Sequence, residues 1–167
     1  MLSVSNHKPY DFPRERYALA PELQGRPGAV RYADACIGGY LDGLHARGLE
    51  EDTLVLIVGD HGARVYGAAE IPLASYAVPM VFYAPGILPA GVRVDQLASS
   101  MDVPPTILGL LGGDYDSKFF GRDVLSSHAR PGLAVMTHNN EIALMRDNRL
   151  AVLGLRGATT VFDVDAN

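Results

Sequence analysis

The segment from Thr53 to Gly62, TLVLIVGDHG, constrains the fold of this chain more than any other stretch. Its apolar residues, Leu54 to Val58, show no polar alternation, which is typical of a parallel strand that is buried on both faces. The run ends abruptly at Gly59, and Asp60 and His61 follow directly. In open α/β sheets, ligands bind at the carboxyl ends of the strands. The pattern therefore predicts an α/β fold with two polar side chains at a ligand-binding edge.

Composition restricts the class of protein. A length of 167 residues is that of one domain, and 48% hydrophobic residues is ordinary for a globular protein. The net charge of −5 argues against nucleic-acid binding, which usually requires a basic patch. The single cysteine, Cys36, forbids an internal disulfide and a cysteine-based zinc cluster, and its apolar helical position predicts a small buried hydrophobe. No run approaches the roughly 18 apolar residues of a membrane span and no signal peptide is expected, so we expect the chain itself to be soluble.

The remaining elements alternate between helix and strand and then become purely β. Residues 11–28 contain three prolines and many charges without a period, which predicts a long surface loop. We expect an α/β part over residues 1–125 and a small antiparallel β tail of the same domain over residues 126–167. One predicted helix covers 29–47 and ends at Gly48, and a second covers 101–111 with Asp102 as its N-cap. The predicted strands cover 54–58, 80–84, 133–137, 142–146, 149–153 and 160–164.

Asp60 and His61 are the candidate metal ligands. A carboxylate and a neutral imidazole both bind hard or borderline divalent cations, and adjacent positions on one turn allow both to reach one ion. The flanking Gly59 and Gly62 allow close backbone approach. The alternative is a strand-ending turn in which Asp60 caps a helix and His61 is merely exposed. The residue types leave manganese, zinc, magnesium and calcium all open as the single ion.

A second polar cluster, Asn6 to Tyr10, follows a short predicted strand near the start of the chain. Its amide, imidazole and ammonium groups, from Asn6, His7 and Lys8, can hydrogen-bond a phosphate or sulfate group, and Lys8 adds a point charge. The alternative is an exposed polar loop. Arg64 could likewise pair with an anion, although an ordinary surface arginine is the commoner case.

Other polar residues are assigned structural or solvent-facing positions. We expect His45 and His128 to face solvent, and turn chemistry is an adequate explanation for His138. None of the serine and threonine candidates for a nucleophile lies in a Gly-x-Ser-x-Gly elbow or beside an obvious base. No catalytic nucleophile is therefore predicted in this chain.

Five motifs occur in order along the chain: Ser5–Tyr10, Arg31–Asp34, Thr53–Gly62, Val78–Gly86 and Ser99–Leu108. Together they resemble the C-terminal half of a sulfatase-type catalytic domain of the alkaline phosphatase superfamily. The branch they resemble most is that of the lipoteichoic-acid-synthase-like phosphoglycerol transferases. The similarity extends from about residue 3 to about residue 125, and the β tail also fits.

The resemblance implies a sheet flanked by helices, with one divalent metal ion at the carboxyl ends of the strands. In this family a threonine, serine or formylglycine nucleophile forms a covalent ester intermediate, which passes to water or to an acceptor alcohol. Carried over by position, Asp60 and His61 are implied as metal ligands. His7 is implied to contact the phosphate or the acceptor head group, with Arg64 as a companion. The chemistry of Asn6 and Lys8 predicts that they bind the same anionic phosphate or sulfate ester, including a lipid head group. The parent enzyme is implied to be anchored in the membrane with its catalytic domain outside the cytoplasm. Between sulfate and phosphate chemistry, the first motif favours phosphoglycerol transfer.

This sequence departs from the family because the early acidic ligand and the nucleophile have no counterpart in it. One hypothesis is that the chain is the metal-binding half of an enzyme acting on anionic esters, inactive alone. The competing hypothesis is a non-catalytic binding or structural module that retains the same fold. Loss of half a domain exposes a sheet edge and an apolar face, so we expect homo-oligomers to form through that face.

Overall fold

A computed structural model describes residues 3–17, 23–65, 69–126, 128 and 130–164 of the chain. They form a mixed α/β fold, which confirms the predicted class. Strands β1 and β2 form a two-stranded sheet, and β3 to β6 form a four-stranded sheet in sequence order. No helix among the described residues is long and apolar enough to cross a membrane. The elements are α1 (Arg26–Ala46), β1 (Val55–Val58), β2 (Met80–Tyr83), α2 (Val103–Leu111), β3 (Ala134–His138), β4 (Glu141–Arg146), β5 (Arg149–Leu153) and β6 (Thr159–Asp163).

The chain separates into two compact units. The first contains Met1–Val55 and Tyr83–Leu88, and the second contains Leu56–Phe82 and Pro89–Asn167. The predicted division into residues 1–125 and a β tail over 126–167 stays a prediction.

In the first unit, the segment before α1 is more ordered than a surface loop. Phe12 is buried, its ring stacks on Tyr32 with the centroids 5.5 Å apart, and the Arg14 guanidinium lies 5.4 Å from the Phe12 centroid. A 3₁₀ turn follows at Arg14–Tyr17. The expected surface loop over 11–28 is borne out where the chain is exposed and irregular. It missed the buried Phe12, the 3₁₀ turn and the start of α1 within the same range, because packing on a helix farther along the chain leaves no local period. Residues 18–22 of the predicted loop lie outside the described residues.

Helix α1 ends where its sequence predicts. Gly48 adopts a positive φ of 64°, and its N–H donates to the His45 carbonyl while the Leu49 N–H donates to the Leu44 carbonyl. This is a Schellman motif, which satisfies carbonyl groups that have no partner within the helix. Glycine adopts the left-handed conformation without steric cost, so Gly48 determines the end of the helix.

The predicted apolar stripe of α1 is only partly buried. Ala29 and Leu44 are buried, whereas Val30 and Tyr40 are about half exposed. Cys36 is half-buried, so the prediction of a fully buried cysteine is wrong.

Strand β1 also differs from its prediction. Its side chains are partly buried rather than enclosed on both faces, and Val58 is 40% exposed. Pairing extends past the strand, since the Gly59 N–H donates to the Pro79 carbonyl at 3.2 Å. A two-stranded sheet gives less cover than the wide parallel sheet that the apolar run predicts.

The four-stranded sheet of the second unit confirms the predicted antiparallel strands. β3, β4, β5 and β6 pair in succession as a meander. Two tight turns contain residues with positive φ: Asn139 in the first, and Asp147 with Asn148 in the second, as such hairpins require. One face packs into a core of Ile71, Met136, Ala143, Leu150 and Val152, and the opposite face exposes Val135, Ile142, Leu144, Leu153 and Val161.

A buried polar network ties α2 to the segment after it. Asp102 is the N-cap residue of α2, as predicted, but its side chain makes no capping bond to that helix. Its Oδ2 accepts the Ser99 N–H and its Oδ1 accepts the Arg122 N–H, both at 2.8 Å. Thr106 Oγ1 donates to the Asp102 carbonyl at 2.7 Å and accepts the Val124 N–H at 3.1 Å. The carboxylate of Asp102 is engaged instead by the amide before the 3₁₀ turn Ser100–Asp102 and by the amide of a distant segment.

Candidate metal centre

Asp60 and His61 lie at the turn that follows β1, and their side chains have defined orientations. The His61 Nδ1 lies 2.9 Å from the Gly62 carbonyl oxygen. Because a carbonyl only accepts, Nδ1 carries the proton and Nε2 keeps its lone pair. The His61 N–H donates to Asp60 Oδ1 at 2.9 Å, which leaves Oδ2 as the available carboxylate oxygen. The backbone thus orients one nitrogen and one oxygen for an outside ligand.

The separation of these two atoms fits a shared ion. Asp60 Oδ2 and His61 Nε2 are 3.8 Å apart, with the two side chains 71% and 77% exposed. Two ligands of one tetrahedral ion, with bonds of about 2.1 Å, lie about 3.4 Å from each other. A movement of a few tenths of an ångström would therefore let both bind one ion. Their exposure leaves room for further ligands.

The Asp60–His61 turn is held by a backbone contact that no local sequence pattern predicts. The Gly62 N–H donates to the Ser75 carbonyl at 3.0 Å, and a Cβ at position 62 would lie 2.6 Å from that oxygen. The Ser75 hydroxyl also accepts the Val65 N–H at 2.9 Å. Gly62 is thus required for close backbone approach, as its position suggested. Ser75 was missed because no local pattern links it to the Asp60–His61 turn.

The pair by itself does not form a complete metal site. Across the described residues, no group of three or more His, Cys, Asp and Glu side chains is arranged to hold a metal ion. Protein metal centres with a catalytic role commonly use three protein ligands and one open position. Asp60 and His61 fit as two of these ligands, and the described residues do not supply the third.

The residues predicted to contact an anion fall into two groups. Asn6, His7 and Lys8 lie together on an exposed turn of the first unit, where His7 Nδ1–H donates to the Lys8 carbonyl at 2.8 Å and leaves Nε2 available. Arg64 is exposed and belongs to the second unit, as do Asp60 and His61. The structure brings the first three residues together, and the roles predicted for all four stay predictions.

His45 is exposed as predicted, but it belongs to a hydrogen-bonded cluster that the sequence does not reveal. Its Nδ1 lies 2.6 Å from Glu50 Oε2, and the Tyr83 hydroxyl donates to Glu50 Oε1. The bond to Glu50 raises the pKa of His45, while the bonds from Tyr83 and His45 lower the pKa of Glu50. The bond to Glu50 also raises the pKa of Tyr83. The chain turns back at Gly48 and brings Glu50 close to the end of α1. The glycine is the one feature of the local sequence that indicates the contact between Glu50 and His45.

Comparison with known proteins identifies the family. Residues 1–113 match the family model named Sulfatase. The chain belongs to the sulfatase family. Lipoteichoic acid synthase 2 of Bacillus subtilis (strain 168) is 30% identical over 151 residues, which are 77% of this chain and 23% of that protein. Steryl-sulfatase of Rattus norvegicus is 32% identical over 124 residues, which are 62% of this chain and 22% of that protein.

Solved structures agree with this assignment. A protein of the alkaline phosphatase superfamily from Vibrio parahaemolyticus superposes with a TM-score of 0.78 and 26% identity, over 98% of this chain and 42% of that one. The lipoteichoic acid synthase LtaP from Listeria monocytogenes shares the fold, with a TM-score of 0.66 and 21% identity, over 95% of this chain and 46% of that one. The sulfatase-family chain thus spans less than a quarter of the first two relatives and less than half of these structures. The resemblance of its five motifs is confirmed, and membership implies a divalent metal in the parent enzyme.

Proposed function

We propose that Asp60 and His61 are two ligands of one divalent metal ion in a sulfatase-family centre that acts on phosphate or sulfate esters. The observation that carries the proposal is the geometry of the turn. The Gly62 carbonyl fixes the proton of His61 on Nδ1, and Nε2 then lies 3.8 Å from the free Asp60 Oδ2. A strand-ending turn without a ligand has no need for this convergence.

Each residue has a distinct role in this proposal. A divalent ion at such a site polarises an oxygen of the phosphoryl or sulfuryl group and offsets the negative charge that develops there. Asp60 binds through Oδ2, because its Oδ1 is already engaged by the His61 N–H. Neutral His7 presents Nε2 as an acceptor for a hydroxyl group, whereas protonated His7 donates to an anionic oxygen. Asn6, Lys8 and Arg64 contact the anionic ester or its head group.

For the reaction, we favour phosphoglycerol transfer over ester hydrolysis. The similarity to lipoteichoic acid synthase 2 covers a larger share of this chain than the similarity to steryl-sulfatase. The polar motif from Asn6 to Tyr10 favours the same branch. The proposed ion is manganese, zinc, magnesium or calcium, and the proposed location of the parent enzyme is the outer side of a membrane to which it is anchored.

We also propose that these 167 residues do not complete a turnover alone. The sequence contains no recognisable nucleophile motif, and the described residues provide two metal ligands where a centre needs at least three. Manganese or zinc with an aryl phosphate or aryl sulfate should therefore give no protein-dependent hydrolysis. Hydrolysis that depends on the protein and is lost with Asp60→Ala would contradict this part of the proposal.

The second candidate is a non-catalytic module of the same fold, which the exposed apolar side chains on α1 and on the outer face of the four-stranded sheet favour. Surfaces of this kind often mark association between chains. Light scattering of the purified protein separates the two candidates when it is combined with the metal titration described next. Dimers without metal binding favour the module.

The decisive experiment is calorimetric titration of the purified chain with each of the four ions. We expect saturable one-to-one binding of at least one ion, lost in the Asp60→Ala/His61→Ala double variant. His128→Ala, which changes another exposed histidine of the same unit, is the matched control and should bind as the wild type does. Equal metal binding in all three proteins, or no binding in any of them, would exclude Asp60 and His61 as metal ligands in this chain.

A further inference from the structure

A cavity of about 200 Å³ lies in the second unit beside the 3₁₀ turn that precedes α2. Three arginines line it: Arg122, Arg130 and Arg146. Asp102 is the one carboxylate among the described residues that line it, so the lining groups carry a formal charge of +2 (three arginines and one aspartate). The exposed ring of Phe120 and the side chain of Leu133 supply apolar wall.

Two glycines bring the walls of this cavity together. A Cβ at Gly121 would lie 1.9 Å from the Met101 carbonyl oxygen, and a Cβ at Gly132 would lie 1.9 Å from the Leu97 carbonyl oxygen. No other residue permits such approach of one backbone to another. The segments that carry Arg122 and Arg130 are therefore held against the same stretch, residues 97–102, by backbone contact.

Arg122 is buried, and its guanidinium forms no ion pair among the described residues. It is 8% exposed; its Nη1 donates to Gln96 Oε1 at 3.0 Å and its Nη2 donates to the Leu97 carbonyl at 2.8 Å. Its Nε–H is buried and has no acceptor among the described residues. An unsatisfied buried donor costs free energy, and a buried charge normally has an opposite charge beside it. Arg122 therefore places a buried positive charge, with one donor left unpaired among the described residues, in the wall of the cavity.

The neighbouring charges do not provide an acceptor for that donor. Both oxygens of Asp102 already accept backbone N–H groups, from Ser99 and from Arg122 itself. Arg146 Nε lies 3.3 Å from Asp147 Oδ2, but both side chains are more than half exposed, and surface pairs of this kind are weak. Arg130 makes no hydrogen bond or ion pair with any other residue that the structure describes.

We propose that this cavity binds a compact tetrahedral oxyanion, a phosphate or sulfate group, either as the free ion or as the head of an ester. Guanidinium groups offer several donors in a planar fork that suits such oxygens. Arg130 and Arg146 contact the anion from exposed positions, and the buried charge of Arg122 adds to the positive potential of the cavity. Phe120 and Leu133 contact the organic part when the ligand is an ester. The proposal is independent of the metal centre, because it uses none of its residues.

The test is titration of the metal-free chain with inorganic phosphate and then with sodium sulfate, at low ionic strength and with a chelator present. Calorimetry gives the affinity, and the ¹⁵N–¹H signal of the Arg122 Nε–H reports the site. We expect saturable binding that shifts this signal, and affinity at least tenfold weaker in Arg130→Gln/Arg146→Gln. Both replaced side chains are exposed, so circular dichroism should show that the double variant remains folded.

Arg149→Gln is the matched control. Arg149 lies directly opposite Arg146 in the β4–β5 register, pairs with Asp163 and does not line the cavity, so its variant should bind phosphate as the wild type does. Absence of saturable binding, or equal affinity in wild type, Arg130→Gln/Arg146→Gln and Arg149→Gln, would overturn the proposal. Retained binding in Asp60→Ala/His61→Ala separates this site from the proposed metal centre. Tighter binding of glycerol 1-phosphate or phenyl sulfate than of the inorganic ions would support an ester head group, and equal binding would support the free ion.

Discussion

Replacement of Thr106 by valine tests the buried polar network that holds the segment carrying Arg122. Thr106 is completely buried. Its hydroxyl donates to the Asp102 carbonyl at 2.7 Å and accepts the Val124 N–H at 3.1 Å. Valine has nearly the same shape, so the change removes both hydrogen bonds while it leaves the packing largely intact.

The expected cost follows from these two bonds. Loss of the donated bond costs about 0.5–1.5 kcal/mol, and a buried Val124 N–H without an acceptor costs about 1–3 kcal/mol. Burial of the methyl group that replaces the hydroxyl stabilises the folded state by about 0.8 kcal/mol. The net loss in the free energy of unfolding is therefore roughly 2 kcal/mol. Thr106→Ser keeps both bonds and loses one methyl group, which costs about 1 kcal/mol.

Two measurements check this prediction. Urea denaturation followed by circular dichroism gives the free energies of unfolding, and hydrogen exchange of the Val124 amide reports the broken bond directly. Thr160→Val, on an exposed position of β6, is the control and should change stability by less than about 0.5 kcal/mol. A serine variant that is destabilised as much as the valine variant, with Val124 exchange unchanged in both, would refute the argument.

Three further predictions concern other parts of the chain. Gly62→Ala places a methyl group against the Ser75 carbonyl, so we expect a loss of about 1–3 kcal/mol in stability and weaker metal binding by calorimetry. The contact of His45 with Glu50 stabilises the fold while His45 is protonated and Glu50 is ionised. This stabilisation should be greatest between about pH 4.5 and 6.5. It should be lost as the pH rises through the raised pKa of His45, and also as the pH falls through the lowered pKa of Glu50. The melting temperature of wild type relative to His45→Gln, measured against pH, tests this. Asn148→Ala should cost about 1 kcal/mol in thermal unfolding, because alanine is disfavoured at a φ of 58°.

Each of these predictions can fail clearly. Unchanged stability and metal affinity in the Gly62 variant would show that the turn relaxes freely around the added methyl group. A constant difference between wild type and the His45 variant from pH 4 to 9 would exclude the histidine–glutamate contact as its source. An alanine variant of Asn148 as stable as the wild type would show that the β4–β5 turn tolerates another conformation, and Asn148→Gly, which should be at least as stable as the wild type, is its control.

The sequence alone determined the features that depend on neighbouring residues. Gly48 ends α1, and two prolines lie in the first turn of α2. Asn and Asp residues form the two tight turns that join β3, β4 and β5 in the antiparallel meander. The Gly-Asp-His-Gly turn after an apolar run predicted a polar pair at the end of β1, and the order of five motifs predicted the family. These signals are local, because periodicity, capping and turn chemistry act over a few residues.

Only the tertiary structure decided what those elements contact. Phe12 is buried by stacking on Tyr32, and the Asp60–His61 turn is held by Ser75; neither partner is close in sequence. Asp102 is the N-cap residue of α2, but its carboxylate binds the amide of Arg122, which folding brings close to it, and makes no capping bond. Three arginines that look like unrelated surface charges in the sequence line one cavity. Such contacts depend on which segments meet in space, and the free energy of burying them is set by the whole fold rather than by any local pattern.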